Sequence, residues 1–395
     1  MKRTFIISLL VAMALSVQAQ KRITVIGEVE NVADSTVFDL METDGTGATA
    51  IYTNDDNNGR VINGRFILVY KCSRTDSRHF SLTSSSKGFS HRIELDFWAN
   101  QGDTVYIKGK GNLLGNWEVQ SDATEQKEWD LIRRKCEQEL ETHQQAIWDY
   151  ETYRSYRRNT EMNEEEWDKT SIILAQKDSI VKQTSTLWYK KQLEVMKHLP
   201  FTDFWMDHLA TILYMNQSSF KELEQATKDV YAIHAKRISQ HPDGKQVISK
   251  IFPSSVKAER GKMCIDTKLF DTNGNEFQLA DFRGKYILLD FWANYCGACL
   301  AAFPHIKKIQ EQYADRLVII SISVDKVNTW KASPHIRNIS WLNMNDGGGI
   351  HGGIAYSYDI KALPTYILIS PEGIYKERLN GSMLFNGTLE KLINE

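Results

Sequence analysis

Hydrophobic positions change their spacing along the chain. From residue 21 to about 121 they alternate in short runs that contain Val25, Phe38, Ile51, Ile67, Val69, Phe80, Leu82, Ile93, Phe97, Val105, Ile107, Trp117 and Val119. Clusters rich in Gly, Asp and Asn at 44–47, 55–59 and 101–103 separate the runs. Period-two alternation with such punctuation predicts an all-β module at 20–121, built as an antiparallel sandwich or barrel. From about Asp122 the spacing becomes helical, with Trp129, Ile132, Cys136, Leu140, Ile147 and Tyr150 on one stripe. Further series over Trp167–Met196 and Phe220–Ile238 continue an α-helical region assigned to 122–253, and Ser219 with Glu222 reads as a capping box. Pro200 and Pro242-Asp243-Gly244 punctuate the helices.

The last region, 254–395, alternates strand and helix. Thr267–Phe270 and Glu276–Gln278 flank Asn273-Gly274, the signature of a hairpin. Tyr286–Trp292 is a buried strand, followed by a helix to about Tyr313 that contains Pro304. Strands at Leu317–Val324, Thr365–Ile369 and Ile374–Leu379 and a closing helix at Leu389–Asn394 complete an α/β unit with parallel strands. The chain is therefore expected to be multi-domain.

The N-terminus carries an address. Lys2 and Arg3 precede an apolar run from Phe5 to Val17, and Val17-Gln18-Ala19 fits a signal-peptidase site, so residues 1–19 read as a signal peptide cut before Gln20. The run is about 13 residues, short of the roughly 20 that a membrane span needs. The expected mature protein is exported, periplasmic, soluble and not membrane-spanning, in an oxidising compartment.

Composition narrows the field. With 395 residues, 42% hydrophobic and 25% charged, the chain fits two or three packed domains and excludes a disordered or collagen-like polymer. A formal charge of −2 gives no basic excess, so nucleic acid is not an expected partner. Five of the ten tryptophans (129, 148, 167, 188 and 205) fall in the helical region, but the residues between them do not repeat, so they read as core. The Gly347–Gly353 run lacks a following Lys-Ser/Thr and reads as a flexible connection, not a phosphate loop.

The chemistry lies in Cys296-Gly297-Ala298-Cys299, at a strand-to-helix junction. There the unpaired N–H groups and dipole of the helix N-terminus stabilise a thiolate on the first cysteine, while the second lies one turn in, close enough to form a disulfide with it. Two alternatives are weaker. A structural zinc site needs two more ligands at suitable spacing, and Cys72, Cys136 and Cys264 stand alone. A peroxiredoxin-type peroxidase wants Thr three and Pro seven residues before its cysteine. Those places hold Ala293 and Leu289 before Cys296, and Cys296 and Trp292 before Cys299. No metal or other cofactor is called for.

The segment Ile287-Leu288-Leu289-Asp290-Phe291-Trp292-Ala293-Asn294-Tyr295-Cys296-Gly297-Ala298-Cys299 resembles the active-site segment of thioredoxins. More narrowly, residues 263–395 resemble the exported TlpA/ResA-like thiol–disulfide oxidoreductases. Pro304, the loop Ala362-Leu363-Pro364-Thr365 and the hairpin with Phe282-Arg283-Gly284-Lys285 all match. The resemblance implies a thioredoxin fold with Cys296 as nucleophile and Cys299 as resolving thiol. It implies a cis Pro364 against the dithiol, Leu363 and Thr365 lining a substrate strand, and contact surface from Trp292 and Tyr295. It also implies protein disulfide substrates and a membrane or periplasmic electron donor. The sequence departs from the family where Asn and Glu are usual, with Asp290 and Ala302 instead. Asp290 resembles the buried carboxylate of thioredoxins, a candidate general base for Cys299, and Ser321 stands where many thioredoxins have lysine. The expected activity is protein-disulfide reduction. The alternatives are a disulfide oxidase or isomerase, and a scaffold with a passive thioredoxin fold.

Overall fold

The computed structural model describes residues 22–43, 48–49, 59–71, 78–215, 220–252 and 256–394. The expected signal peptide, Cys72, Ser219 of the expected capping box, and the turn clusters at 44–47 and 55–58 lie outside them. The chain divides into two compact units, one ending at Val230 and the other beginning at Tyr231.

Eight strands open the first unit: β1 (Arg22–Glu30), β2 (Asp39–Thr43), β3 (Ala48–Thr49), β4 (Arg65–Lys71), β5 (Arg78–Thr83), β6 (Leu95–Ala99), β7 (Thr104–Lys110) and β8 (Glu118–Gln120). They form two four-stranded sheets, ordered β4-β1-β7-β8 and β3-β2-β5-β6. Ile23, Val25, Leu68, Phe80, Phe97 and Val105, from both sheets, join one apolar cluster. The purely antiparallel expectation needs correcting. β1 runs parallel to β7, with Val25 opposite Val105. Alternation fixes which side chains face inward and leaves strand direction open, and the long connection between β1 and β7 permits a parallel pair. Nor is the module's core all-β, because Ala146, Ile147 and Val181 of the helices complete it.

Those helices are α1 (Thr124–Lys135), α2 (Glu137–Asn159), α3 (Glu164–Met196), α4 (Asp203–Met215) and α5 (Phe220–Gln240). The stripe from Trp129 to Tyr150 belongs to two helices, because the chain leaves helical geometry at Cys136 (φ −117°, ψ 16°). Ile132 and Cys136 are still fully buried, and Ile147 joins the apolar cluster of the sheets. A capping box opens α3, where Asn163 accepts the Glu166 amide and Glu166 accepts the Asn163 amide. α4 lies within the expected helical region, between its apolar series, and Thr202 marks its start by accepting the Trp205 amide at 3.1 Å. Among the described residues, no helix is long and apolar enough to cross a membrane.

The second unit continues with α6 (Gly244–Ile251) and a short antiparallel pair, β9 (Leu269–Phe270) and β10 (Glu276–Phe277). The remaining strands are β11 (Tyr286–Trp292), β12 (Leu317–Ser323), β13 (Leu342–Met344), β14 (Thr365–Ile369) and β15 (Tyr375–Leu379). They form one sheet in the order β13-β12-β11-β14-β15. β11, β12 and β13 are parallel neighbours, while β14 and β15 run antiparallel. Its central strands read as unbroken apolar runs because both faces are covered. Only Asp290 in β11 and the two serines in β12 interrupt them. Helices α7 (Gly297–Gln312), α8 (Val327–Ala332), α9 (Gly353–Ser357), α10 (Gly381–Phe385) and α11 (Thr388–Asn394) complete the unit. This is the thioredoxin-like fold expected for 254–395.

The glycine-rich run is a packing surface, not a free connection. A Cβ at Gly352 would press on Ser249 of α6 and on the Gly348 carbonyl. Asp346, 4% exposed, ties the run together by accepting the Gly348 and Ile354 amides. We therefore expect residues 231–395 to fold alone. A fragment of residues 254–395 lacks α6, whose Gln246 and Ser249 lie against Gly349 and Gly352, and so uncovers the face of the glycine-rich run. It should be less stable by about 2–4 kcal/mol and melt several degrees lower. Thermal melts of the two fragments by circular dichroism provide the check, and equal melting temperatures would detach α6 from the domain.

Candidate active site

The site is built where β11 gives way to α7. The loop between them is pinned before it reaches the first cysteine. Asp325, just beyond β12, accepts the Asn294 amide at 2.8 Å, and Ser333 donates to the Asn294 side chain at 2.7 Å. Cys296 is then the N-cap of α7, with its Sγ accepting the Cys299 amide at 3.2 Å. The two sulfurs are joined in a disulfide of 2.09 Å. Cys296 is 9% exposed and Cys299 1%, so one sulfur borders the surface and the other lies behind it. Both residues between them are exposed, which leaves the approach to Cys296 open.

The Leu363–Pro364 peptide bond is cis. Pairing of β14 with β11 sets Thr365 opposite Phe291, so Pro364 enters the sheet at the end of β11 from which the dithiol loop leaves. Leu363 is half-buried; Thr365 is buried and turns its hydroxyl back to the Ala362 carbonyl at 2.7 Å. Tyr295 is 49% exposed beside Cys296, a position suited to contact. Trp292 is not. The expectation that it supplies contact surface is corrected by its complete burial: its ring packs edge-on to Phe303, and its Nε1 donates to Asn343 at 3.2 Å. Strand periodicity sends Trp292 to the inner face with Asp290, two residues before it.

Asp290 is 1% exposed on the central strand. Ser321, directly opposite on β12, donates to its Oδ2 at 2.6 Å and in turn accepts from Trp341 Nε1 at 2.8 Å. Burial pushes the carboxyl up to about 7, against the smaller opposing effect of the Ser321 hydrogen bond. No lysine fills that place; a neutral hydroxyl does. The carboxyl therefore exchanges its proton near neutrality on the sheet face that α7 covers, as the contact of Trp292 with Phe303 of α7 shows.

Among the described residues, the other two cysteines have no comparable setting. Burial, then Glu139, pushes Cys136 up to about 12, and burial, then Asp266, raises Cys264, so neither is activated as a thiolate. Among the described residues, no group of three metal-ligating side chains forms a metal site. A cavity of about 330 Å³ lies elsewhere in this unit, lined by Phe270, Trp330, Lys245 and Asn345 among others, and includes neither cysteine.

Comparison with known proteins places this region. Residues 260–378 match the AhpC/TSA family. The thioredoxin-like protein YneN of Bacillus subtilis is 25% identical over 143 residues, which cover 35% of this chain and 81% of YneN. The thiol-disulfide oxidoreductase ResA of the same organism is 24% identical over 143 residues, covering 35% of this chain and 78% of ResA. Among solved structures, the thioredoxin domain of a thiol-disulfide oxidoreductase from Bacteroides vulgatus is 30% identical. It matches 35% of this chain and 100% of that one, with a TM-score of 0.32.

Proposed function

Residues 260–378 are a thioredoxin-like domain of the AhpC/TSA family, and from that premise we propose that this chain is an exported protein-disulfide reductase working through Cys296 and Cys299. The observation that carries the reading is the pairing of a bordering and a buried sulfur at the start of α7. In the reduced protein the Cys296 thiolate, held by the helix N-terminus, attacks one sulfur of a client disulfide. A Cys296–client disulfide forms and the client's second sulfur leaves as a thiolate, which takes a proton from solvent. Asp290, as carboxylate, then receives the Cys299 proton, directly or through a water. The Cys299 thiolate attacks Cys296, the Cys296–Cys299 bond forms, and the second client thiolate departs. Two electrons pass to the client, and a membrane or periplasmic donor returns them.

Leu363 and Thr365 would pair with an extended client segment beside cis-Pro364, and Tyr295 would supply apolar contact. Ala293 and Leu289 keep the peroxidase pattern absent despite the breadth of the family match. The test is a Cys299→Ser trap, which stops the cycle at the Cys296–client disulfide. Recovery of disulfide-linked proteins from the exported fraction, absent with Cys296→Ser, supports the reading. Recovery of none, from a correctly processed chain, rejects it.

A further inference from the structure

Asp290 and Tyr366 stand directly opposite each other on β11 and β14, on the same face of the sheet. They are 1% and 0% exposed. Asp290 Oδ1 and the Tyr366 hydroxyl are both fully buried, and each lacks a hydrogen-bond partner among the described residues. Two such orphans on adjoining strands are costly, because each forfeits its water without compensation. One buried water held by both would satisfy them together. We propose that the Tyr366 hydroxyl is the partner of Asp290 Oδ1 through a shared water, and that this tie sets the pH at which Asp290 takes up its proton.

The proposal rests on the reading of Asp290 as the proton acceptor of Cys299 and extends it to a positioning residue. With Asp290 ionised, the phenol O–H donates towards it through the water. With Asp290 protonated, the acid O–H donates and the phenol oxygen accepts, so the network is satisfied in both states. Tyr366 itself stays neutral, since burial and then the neighbouring Asp290 both raise its pKa. Apart from the dithiol, no formal charge faces Asp290 among the described residues, and in the disulfide form the two cysteines have no proton to lose. β12 and β14 carry no formal charge, and Ser321 is the other polar group facing Asp290 from β12. On α7, His305, Lys307, Lys308 and Glu311 are all exposed. On β15, Leu379 faces Tyr366, and Glu377 is paired with Arg260 at 2.6 Å. Glu390 and Lys391 of α11 are exposed as well.

The test follows the Asp290 carboxyl by ¹³C NMR in the full chain with its Cys296–Cys299 disulfide intact, so that neither thiol titrates beside it, assigned by its loss in Asp290→Asn. Tyr366→Phe removes the donor to the charged form, so the midpoint should rise by about one pH unit. Site-specific 3-fluorotyrosine at 366, a stronger donor, should lower it, which keeps the test open if the Phe variant folds poorly. A midpoint that stays in place under either change overturns the proposal. A midpoint that moves while the pH profile of mixed-disulfide decay does not would keep the tie and remove Asp290 from the proton transfer.

Discussion

Cys296→Ser is expected to reduce turnover of insulin disulfides in dithiothreitol to the uncatalysed rate. A serine hydroxyl stays protonated at neutral pH, so no anion forms at the start of α7, and Cys299 cannot substitute because it is 1% exposed. Attack needs both a thiolate and access, and among the described cysteines the Cys296 position has the two together. Cys299→Ser should behave differently, forming the client adduct once and then releasing it slowly. Precipitation of insulin followed by turbidity gives the measurement. Cys296→Ser with a tenth or more of wild-type activity would assign the nucleophile elsewhere. A wild-type chain no better than the double cysteine variant would favour the passive scaffold. Excess formation of disulfides over their reduction in a coupled assay would favour the oxidase or isomerase.

Asp290→Asn should slow decay of the Cys296-linked mixed disulfide by roughly 100- to 10,000-fold, the usual worth of a positioned general base. In the wild type that decay should rise with pH through about 7, as the carboxyl becomes able to accept a proton. The variant should lose that limb of the profile. The same ionisation bears on stability with a definite sign. Burial raises the folded-state pKa to about 7 from the ordinary aspartate value of 3.8, so between those values the native chain holds the proton and the unfolded chain releases it. Stability from this group is therefore full below about pH 4 and falls as pH rises to about 7, by on the order of 4 kcal/mol. Asn has no proton to lose, so the variant should gain on the wild type across this window and keep a constant lead above it. Stopped-flow decay and urea unfolding at pH 5 and pH 8 measure the two effects. An unchanged decay profile would leave the dithiol without a dedicated base, and an unchanged stability difference would place the carboxyl in a wetter site.

The fold of the second unit was legible because its strands are buried on both faces. Tyr286–Trp292 and Thr365–Ile369 stand out as apolar runs and match β11 and β14 residue for residue. The three-residue edge strand β13 was not legible, having two half-buried residues and no period. In the first unit alternation told which side chains turn inward but not that β1 and β7 run parallel. At the site, the spacing of Cys296 and Cys299 pointed to their pairing, and Asp290 stood out as a lone acid in an apolar strand. Trp292 misled because an aromatic beside a reactive loop suits contact as well as core, and only the face it takes decides. Tyr366 carried no signal; a tyrosine inside an apolar strand looks like filling until its hydroxyl is found without a partner.

The residues opposite Asp290 continue across the sheet. Asn343, Ser321, Asp290 and Tyr366 lie in one transverse line over β13, β12, β11 and β14. The line crosses a mostly apolar sheet, and this bears on how the chain assembles. A slip of β12 by one residue would turn Ser321 to the opposite face, strip Asp290 of its donor and bury two unpaired groups. Apolar strands such as these would otherwise pair almost as well one step out of line. The polar line thus acts as a registration mark during folding, penalising misaligned sheets before the dithiol is ever tested. Changing Asp290 for a chemist's purpose therefore also erases part of that mark, and variants that remove Ser321 with it should refold with more misaligned product even where the final structure is sound.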